Sequence, residues 1–302
     1  MSKVICGDAL EQLKELPSKS VNLVCIDPPY NIGKDQWDNL GFAKKGYGGA
    51  AENASGDYYF GWMAEIFEEI ERVLRDDGSF FVFHNEFRSM ARLDTKIQQN
   101  TSFVFRQMIT WNKRFEGSSR KGFLDGFIVR GGLSNWNKMA EYILFYTFNN
   151  SWKLKDARKR RKVKQTTISR EILSRTGKMT GWYSNIETGK NYPTEQTIVP
   201  ITKHLGLTLE DLVPKFYNQK TDHSVWNYEP VLKKMGHITP KPTELIKNII
   251  MHTTNEDDVV LDCFAGSGTT GVAAAQLNRR FILIEKEEEY MVIINKRLRD
   301  EV

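Results

Sequence analysis

Val21-Asn-Leu-Val-Cys-Ile26 is a short, nearly continuous apolar run that stops at Asp27. That is the pattern of a strand buried on both faces of a parallel sheet. Ser79-Phe-Phe-Val-Phe83, entered through Asp77-Gly78, reads the same way. Between the two, Phe60, Met63, Phe67, Ile70, Val73 and Leu74 recur at helical spacing and predict a helix over 59–74. The alternation returns near the C-terminus. Val259-Val-Leu261 predicts a strand, Thr270 to Leu277 an alanine-rich helix, Phe281-Ile-Leu-Ile284 a strand, and about Glu287 to Arg299 a helix. Strands alternating with helices predict an α/β fold with a Rossmann-like, mostly parallel, twisted sheet.

Three stretches break the rhythm. Asn31 to Asp57 and Lys113 to Asn137 are rich in Gly and polar or basic residues and read as long loops, the kind that often serve as lids or binding segments. From about 165 to 213, short helical patterns are punctuated by Gly177, Gly189, Pro193 and Gly206, which predicts a small helical insert.

Bulk properties narrow the class. The 302 residues are 40% apolar and 27% charged, ordinary for a folded chain. No apolar run approaches a membrane span, and Met1-Ser-Lys-Val lacks a signal-peptide core, so a cytoplasmic protein is expected. Cys6, Cys25 and Cys263 sit in or beside apolar runs without CxxC spacing and predict packed, reduced thiols. The five histidines lack metal-ligand spacing, so no metal is expected. The net charge of +5 is concentrated between Lys153 and Lys164, a run that is either a solvated helix or linker, or a grip on phosphates.

Two loops carry the chemistry. Gly266-Ser-Gly268-Thr-Thr-Gly271 fits GxGxxG, with Glu285 at the distance of a ribose-binding acid. Asp262, just before this turn, would repel a pyrophosphate but suits a ligand bearing an ammonium and a sulfonium, which points to S-adenosylmethionine rather than a nicotinamide dinucleotide. In Asp27-Pro28-Pro29-Tyr30 the prolines leave carbonyls free to accept. Asp27 and the Pro28 carbonyl could take both hydrogens of an exocyclic amino group, while Tyr30 offers a face for a flat base. An amino group paired in a duplex is reachable only after the base is rotated out.

With these motifs the chain resembles the permuted β class of amino-group DNA methyltransferases. The matching stretches are Gly7-Asp8, Asp27-Pro-Pro-Tyr-Asn31, Glu141-Tyr-Ile-Leu-Phe-Tyr146, Thr239-Pro-Lys-Pro242, Leu261 to Thr270, and Arg280-Phe-Ile-Leu-Ile-Glu285. The resemblance implies the S-adenosylmethionine-dependent methyltransferase fold, with a catalytic half over 1–152 and a cofactor half over 222–302. It implies a catalytic loop of Asp27, Pro28, Pro29 and Tyr30. It also implies a cofactor site of Asp8, Ala9, Lys241, Asp262, Phe264, Ala265, Gly266, Ser267, Gly268, Thr269, Thr270, Glu285 and Lys286. Asp8 would reach the adenine of the cofactor, and Lys241 would close over its methionine end. Asp as the first motif residue favours adenine N6, with cytosine N4 as the alternative. Cys263 departs from the proline common in this class. Double-stranded DNA is the implied partner, and a homodimer and a cognate restriction endonuclease are further implied partners.

The insert, taken as 153–221 with its basic run, resembles the helix-turn-helix of phage-repressor-type domains, most clearly at Ser184-Asn-Ile-Glu-Thr-Gly189 and Pro193-Thr194. Helices are expected over 168–177, 178–189, 194–204 and from 208 to 212. The resemblance packs Ile172, Tyr183, Ile186 and Leu205 inside and turns Thr180, Trp182, Asn185 and Thr188 to the major groove. Arg158, Lys159, Arg160, Arg161 and Lys162 would grip phosphates. Gly181 would weaken the reading helix by about 1 kcal/mol relative to alanine. A transcriptional regulator on a degenerate methyltransferase scaffold is the alternative from a different class, and intact Asp27, Tyr30 and Gly268 argue against it.

Overall fold

The computed structural model describes residues 2–30, 54–115, 117–118, 140–173, 177–191, 193–212, 215–216, 223–231 and 240–302. Eight strands form one sheet in the order β1-β8-β7-β2-β3-β5-β4-β6. They are β1 Lys3–Cys6, β2 Val21–Ile26, β3 Leu74–His84, β4 Phe103–Asn112, β5 Ala140–Phe148, β6 Val225–Asn227, β7 Val259–Asp262 and β8 Arg280–Glu285. Only β5 runs against its neighbours. The four strands expected from the apolar runs are all present, and the mostly parallel α/β sheet follows.

Helices cover both faces, which is why β2 reads as a nearly continuous apolar sequence. Val24 and Ile26 pack with α1 (Ala9–Lys14), α2 (Ala54–Val73) and α3 (Phe87–Asn100) on one side. Leu23 and Cys25 point to the other face and share a second core with helices from the C-terminal part of the chain. The helix expected over 59–74 begins earlier, at Ala54, so the last residues of the loop expected over 31–57 are helical. The rest of that loop, and most of the one expected over 113–137, lie outside the described residues. So do Asn31 and Thr239. Cys25 and Cys263 are buried as expected, whereas Cys6 is exposed because β1 is an edge strand.

Beyond β5, five helices gather around their own core of Leu154, Ala157, Ile168, Ile172, Tyr183, Ile186, Ile201, Leu205 and Leu212. They are α4 Ser151–Arg160, α5 Gln165–Ser169, α6 Trp182–Glu187, α7 Glu195–Leu205 and α8 Leu209–Leu212. The basic run is therefore mostly a helix of this unit, and its last residues, Arg161 to Lys164, turn the chain into α5. Ile172, Tyr183, Ile186 and Leu205 pack inside as expected. The first two helices differ from expectation. The helix expected over 168–177 lies at Gln165–Ser169, and the one expected over 178–189 shrinks to Trp182–Glu187. Gly177, at φ +73, cannot continue a right-handed helix, and Leu173 pairs with Met179 across a short bridge instead. Gly181 is the N-cap of α6, so the interior-glycine penalty does not apply. Thr194 caps α7 reciprocally with Thr197, and Thr208 does so with Asp211 at α8. The remaining helices are α9 Thr243–Thr253, α10 Thr269–Gln276 and α11 Glu288–Asp300. Among the described residues, no helix is long and apolar enough to cross a membrane.

Candidate active site

β2 and β7 are neighbours, paired at Leu23–Val260 and Val24–Leu261. From β2 the chain passes to β3 on one side, and from β7 to β8 on the other. Their C-terminal ends thus flank the point where the winding reverses, the place where open α/β sheets bind ligands. A cavity of about 300 Å³ opens there. Asp27, Pro28, Pro29 and Tyr30 line one side, and Asp262, Phe264, Ala265, Gly266, Ser267, Thr269 and Thr270 the other. Asp8, Ala9, Lys241, Glu285 and Lys286 complete the predicted set, and Gly268 alone of it is absent from the wall. Gly268 acts through its backbone: at φ +76 it turns the chain into α10, and a side chain there would press on Ile294.

Both carboxylate oxygens of Asp27 are engaged. Its Oδ1 accepts from the Tyr30 hydroxyl at 2.7 Å, and its Oδ2 pairs with the Lys241 ammonium. Lys241, expected over the methionine end of a cofactor, thus sits on the catalytic-loop carboxylate. Burial disfavours its charge, but Asp27 and Glu141 outweigh that and raise its pKa above the ordinary lysine value. Burial and the Asp27 charge keep the Tyr30 phenol protonated, and its ring lies 4.5 Å from His84. Pro29, not Pro28, accepts the Tyr59 hydroxyl, at 2.8 Å. Cys25 also lines the cavity, but burial together with the charges of Asp262 and Asp27 holds its thiol protonated, so it is a poor nucleophile.

The glycine loop is organised by acids. Asp262 accepts from Thr270 Oγ1 at 2.6 Å and from the Phe264 amide at 3.0 Å. Burial, aided by the charges of Asp27 and Glu285, still lifts its pKa to about 7. Glu285 accepts from the amides of Gly266 at 2.7 Å and Glu287 at 2.9 Å, and burial raises its pKa too. Asp8 caps α1 through the Leu10 amide at 2.9 Å. These acids shape the loops as well as the cavity.

Sequence reasoning missed several contributors. Arg297 on α11, 7% exposed, donates to the Ser267 carbonyl at 3.0 Å and to Thr269 Oγ1 at 2.9 Å, pinning the glycine loop from behind. Trp62 packs edge-on against Phe264 at 5.8 Å. Glu141 was visible only as part of a matched motif, yet it bonds Lys113 and lies 3.6 Å from Lys241. A buried acid inside an apolar strand was the available signal.

The helical unit does not meet the cavity. It docks at the N-terminal end of β3, where Asn150 Nδ2 donates to the Asp76 carbonyl at 2.8 Å and Lys153 pairs with Asp76 at 3.3 Å. His84, beside Tyr30, stands at the other, C-terminal end of β3. Of the residues expected at DNA, Lys159, Arg160, Arg161, Lys162 and Trp182 are exposed, although Arg160 pairs with Asp156 at 2.9 Å. Arg158 is not available as expected: it turns inward to the buried Glu187 at 2.7 Å. Thr180 and Asn185 are half-buried, and Thr180 Oγ1 bonds the Ile172 carbonyl at 3.3 Å.

A chain with the Asp27 and glycine-loop motifs converging on one cavity at a sheet's reversal point is built as a Rossmann-like methyltransferase. The particular family follows from relatives: residues 21–296 match the family described as DNA methylase, and the chain belongs to it. It is 30% identical over 299 residues to the DNA adenine methyltransferase YhdJ of Escherichia coli K12, spanning 98% of this chain and 82% of the relative. It is 29% identical over 293 residues to the type II methyltransferase M1.MboII of Moraxella bovis, spanning 95% and 91%. Among solved structures, the cytosine-N4-specific PvuII DNA methyltransferase superposes with a TM-score of 0.61 at 16% identity, over 98% of this chain and 85% of that one. At that identity the likeness is one of fold.

Proposed function

We propose that the protein transfers a methyl group from S-adenosylmethionine to the N6 amino group of adenine in duplex DNA. The observation that carries this reading is the convergence of Asp27 and Asp262 on one cavity. The residues there suit the cofactor. Buried acids at Asp262 and Glu285 favour a cationic nucleoside over a pyrophosphate, and Phe264 with Trp62 supplies apolar contact. When bound, S-adenosylmethionine supplies an electrophilic methyl on a sulfonium.

The chain's own groups would do the rest. Tyr30 offers a wall for a flipped base, and Asp27 with the Pro28 carbonyl takes the amino hydrogens, directing the nitrogen lone pair outward. Asp27 also offers a carboxylate to the proton the amine sheds. Ionised Asp262 and Glu285 hold the cofactor's cationic end and ribose, and Asp8 its adenine. Adenine is favoured by Asp27 in first motif position and by the name of the Escherichia coli relative. Digesting methylated DNA and weighing the modified nucleoside tests this: N4-methylcytosine instead of N6-methyladenine would refute it.

The helical unit, 151–212, contributes a second contact with the duplex in this reading, through exposed Lys159, Lys162 and Trp182. Its place at the far end of β3 favours a grip on DNA outside the stretch in the cavity. Choice of the methylated sequence by this unit requires the duplex to reach both ends of the sheet. A homodimer and a cognate restriction endonuclease are proposals that rest on the family resemblance, the latter supported by the type II name of the Moraxella relative.

A further inference from the structure

Lys241 stands between two carboxylates. Its ammonium pairs with Asp27 Oδ2, and Glu141 Oε2 lies 3.6 Å away, just beyond hydrogen-bond reach. The other Glu141 oxygen accepts from Lys113. Oε2 itself is buried and has no hydrogen-bond donor among the described residues. That oxygen is held only by the longer ion pair with Lys241 and has room for a closer bond.

Asp27 has the opposite problem. Tyr30 occupies one of its oxygens and Lys241 the other. An acceptor's amino group that approaches the Oδ2 side of Asp27 competes there with the Lys241 ammonium. Lys241 has somewhere to go: a shift of under about 1 Å completes a bond of ordinary charge-assisted length to Glu141. The ammonium stays charged and paired throughout, exchanging the half-buried Asp27 carboxylate for the more enclosed one of Glu141.

We propose that Glu141 is a positioning residue whose unfilled Oε2 receives the Lys241 ammonium when the acceptor's amino group takes its place on Asp27. This rests on the reading of Asp27 as the amino-group acceptor. The geometry holds Glu141 ready for the task. Its backbone pairs with Trp111 across the β4–β5 ladder, and Lys113 fixes its other oxygen while lying 4.6 Å from the Trp111 ring. Lys241 therefore works as a plug that leaves only when Asp27 is wanted, and Glu141 decides how readily it leaves.

The test uses the full chain, radiolabelled S-adenosylmethionine and duplex DNA, both saturating. Glu141→Gln keeps the shape but removes the anion, so Lys241 should stay on Asp27. The kcat should fall about 10- to 100-fold, the worth of one charge-assisted hydrogen bond, while the Kd for S-adenosylmethionine changes less than about twofold. Adding Lys241→Met to Glu141→Gln removes the plug and should restore kcat about fivefold or more, a recovery that a merely structural role for Glu141 does not produce. Wild-type kcat in Glu141→Gln, or a double variant slower than the single one, overturns the proposal. Should Glu141→Gln fail to fold, Glu141→Asp keeps the charge but draws it back by one methylene, and kcat should drop about tenfold. An undiminished kcat there overturns the proposal equally. A wild-type protein unable to methylate DNA would instead overturn the functional reading beneath it.

Discussion

Asn22 on β2 accepts the backbone amide of Val259, the first residue of β7, at 3.0 Å across 237 residues of chain. The side chain is 7% exposed and reaches sideways across the sheet where the main-chain ladder begins. This contact ties β7 to β2, and the adjacency of the two strands brings the acid at the end of each to one cavity.

Asn22→Val should therefore weaken the fold without touching the site. The Val259 amide loses its acceptor, which costs about 1–3 kcal/mol when partly buried. Urea unfolding should show a lower midpoint at an unchanged slope. An unchanged midpoint would mean that strand pairing alone sets the register.

Asp27→Ala should separate chemistry from cofactor binding. Methyl transfer should fall by about 10²-fold or more, since the amino group loses its acceptor. S-Adenosylmethionine affinity by calorimetry should stay within about threefold. Transfer at the wild-type rate would remove Asp27 from the catalytic loop's role.

Asp262 makes stability depend on pH in the unusual direction for an acid. Its folded pKa is raised to about 7, so between about pH 4 and 7 the folded state holds a proton that the unfolded chain has released. Its contribution is fully present below about pH 4, is lost as pH rises toward 7, and is flat above that. The difference between wild type and Asp262→Asn in unfolding free energy should therefore shift by on the order of 2–4 kcal/mol from pH 4.5 to pH 8, wild type losing ground. A pH-independent difference would contradict the raised pKa. S-Adenosylmethionine affinity in the wild type should rise over the same window as the acid ionises.

In the helical unit, Arg158 and Arg160 should behave oppositely although only Lys159 separates them in the basic run. Arg158→Met strands the buried Glu187 and should cost about 3 kcal/mol, seen as early protease cleavage within 151–212. Arg160→Ala loses only an exposed pair with Asp156 and should leave stability within about 0.5 kcal/mol.

Lys159→Glu together with Lys162→Glu should weaken DNA binding and flatten its salt dependence by about two units of slope. The same variant on a duplex too short to leave the cavity should methylate at the wild-type rate. A changed methylation sequence would instead give the unit the role of choosing the target.

Much of the site was legible because its chemistry is local. A carboxylate and two prolines after an apolar run, and a glycine turn after another, define backbone and charge within a few residues. The insert's apolar spacing likewise marked Ile172, Tyr183, Ile186 and Leu205 as core. Other residues could not be read that way. Arg158 and Lys159 are chemically alike in sequence, but only Arg158 lies across from Glu187. Arg297 sits in a helix of unremarkable charge pattern, and its hold on Ser267 and Thr269 exists only because α11 packs behind the glycine loop.

By itself the sequence determined the strands over 21–26, 79–83, 259–261 and 281–284, the α/β class, and the two loops with their acids, since periodicity and turn chemistry act over a few residues. Tertiary structure alone decided that β7 lies next to β2, that Lys241 rests on Asp27 with Glu141 3.6 Å away, and that the helical unit stands at the opposite end of the sheet. Those outcomes depend on which apolar faces and buried charges find each other across hundreds of residues, and packing settles that only once the whole core has closed.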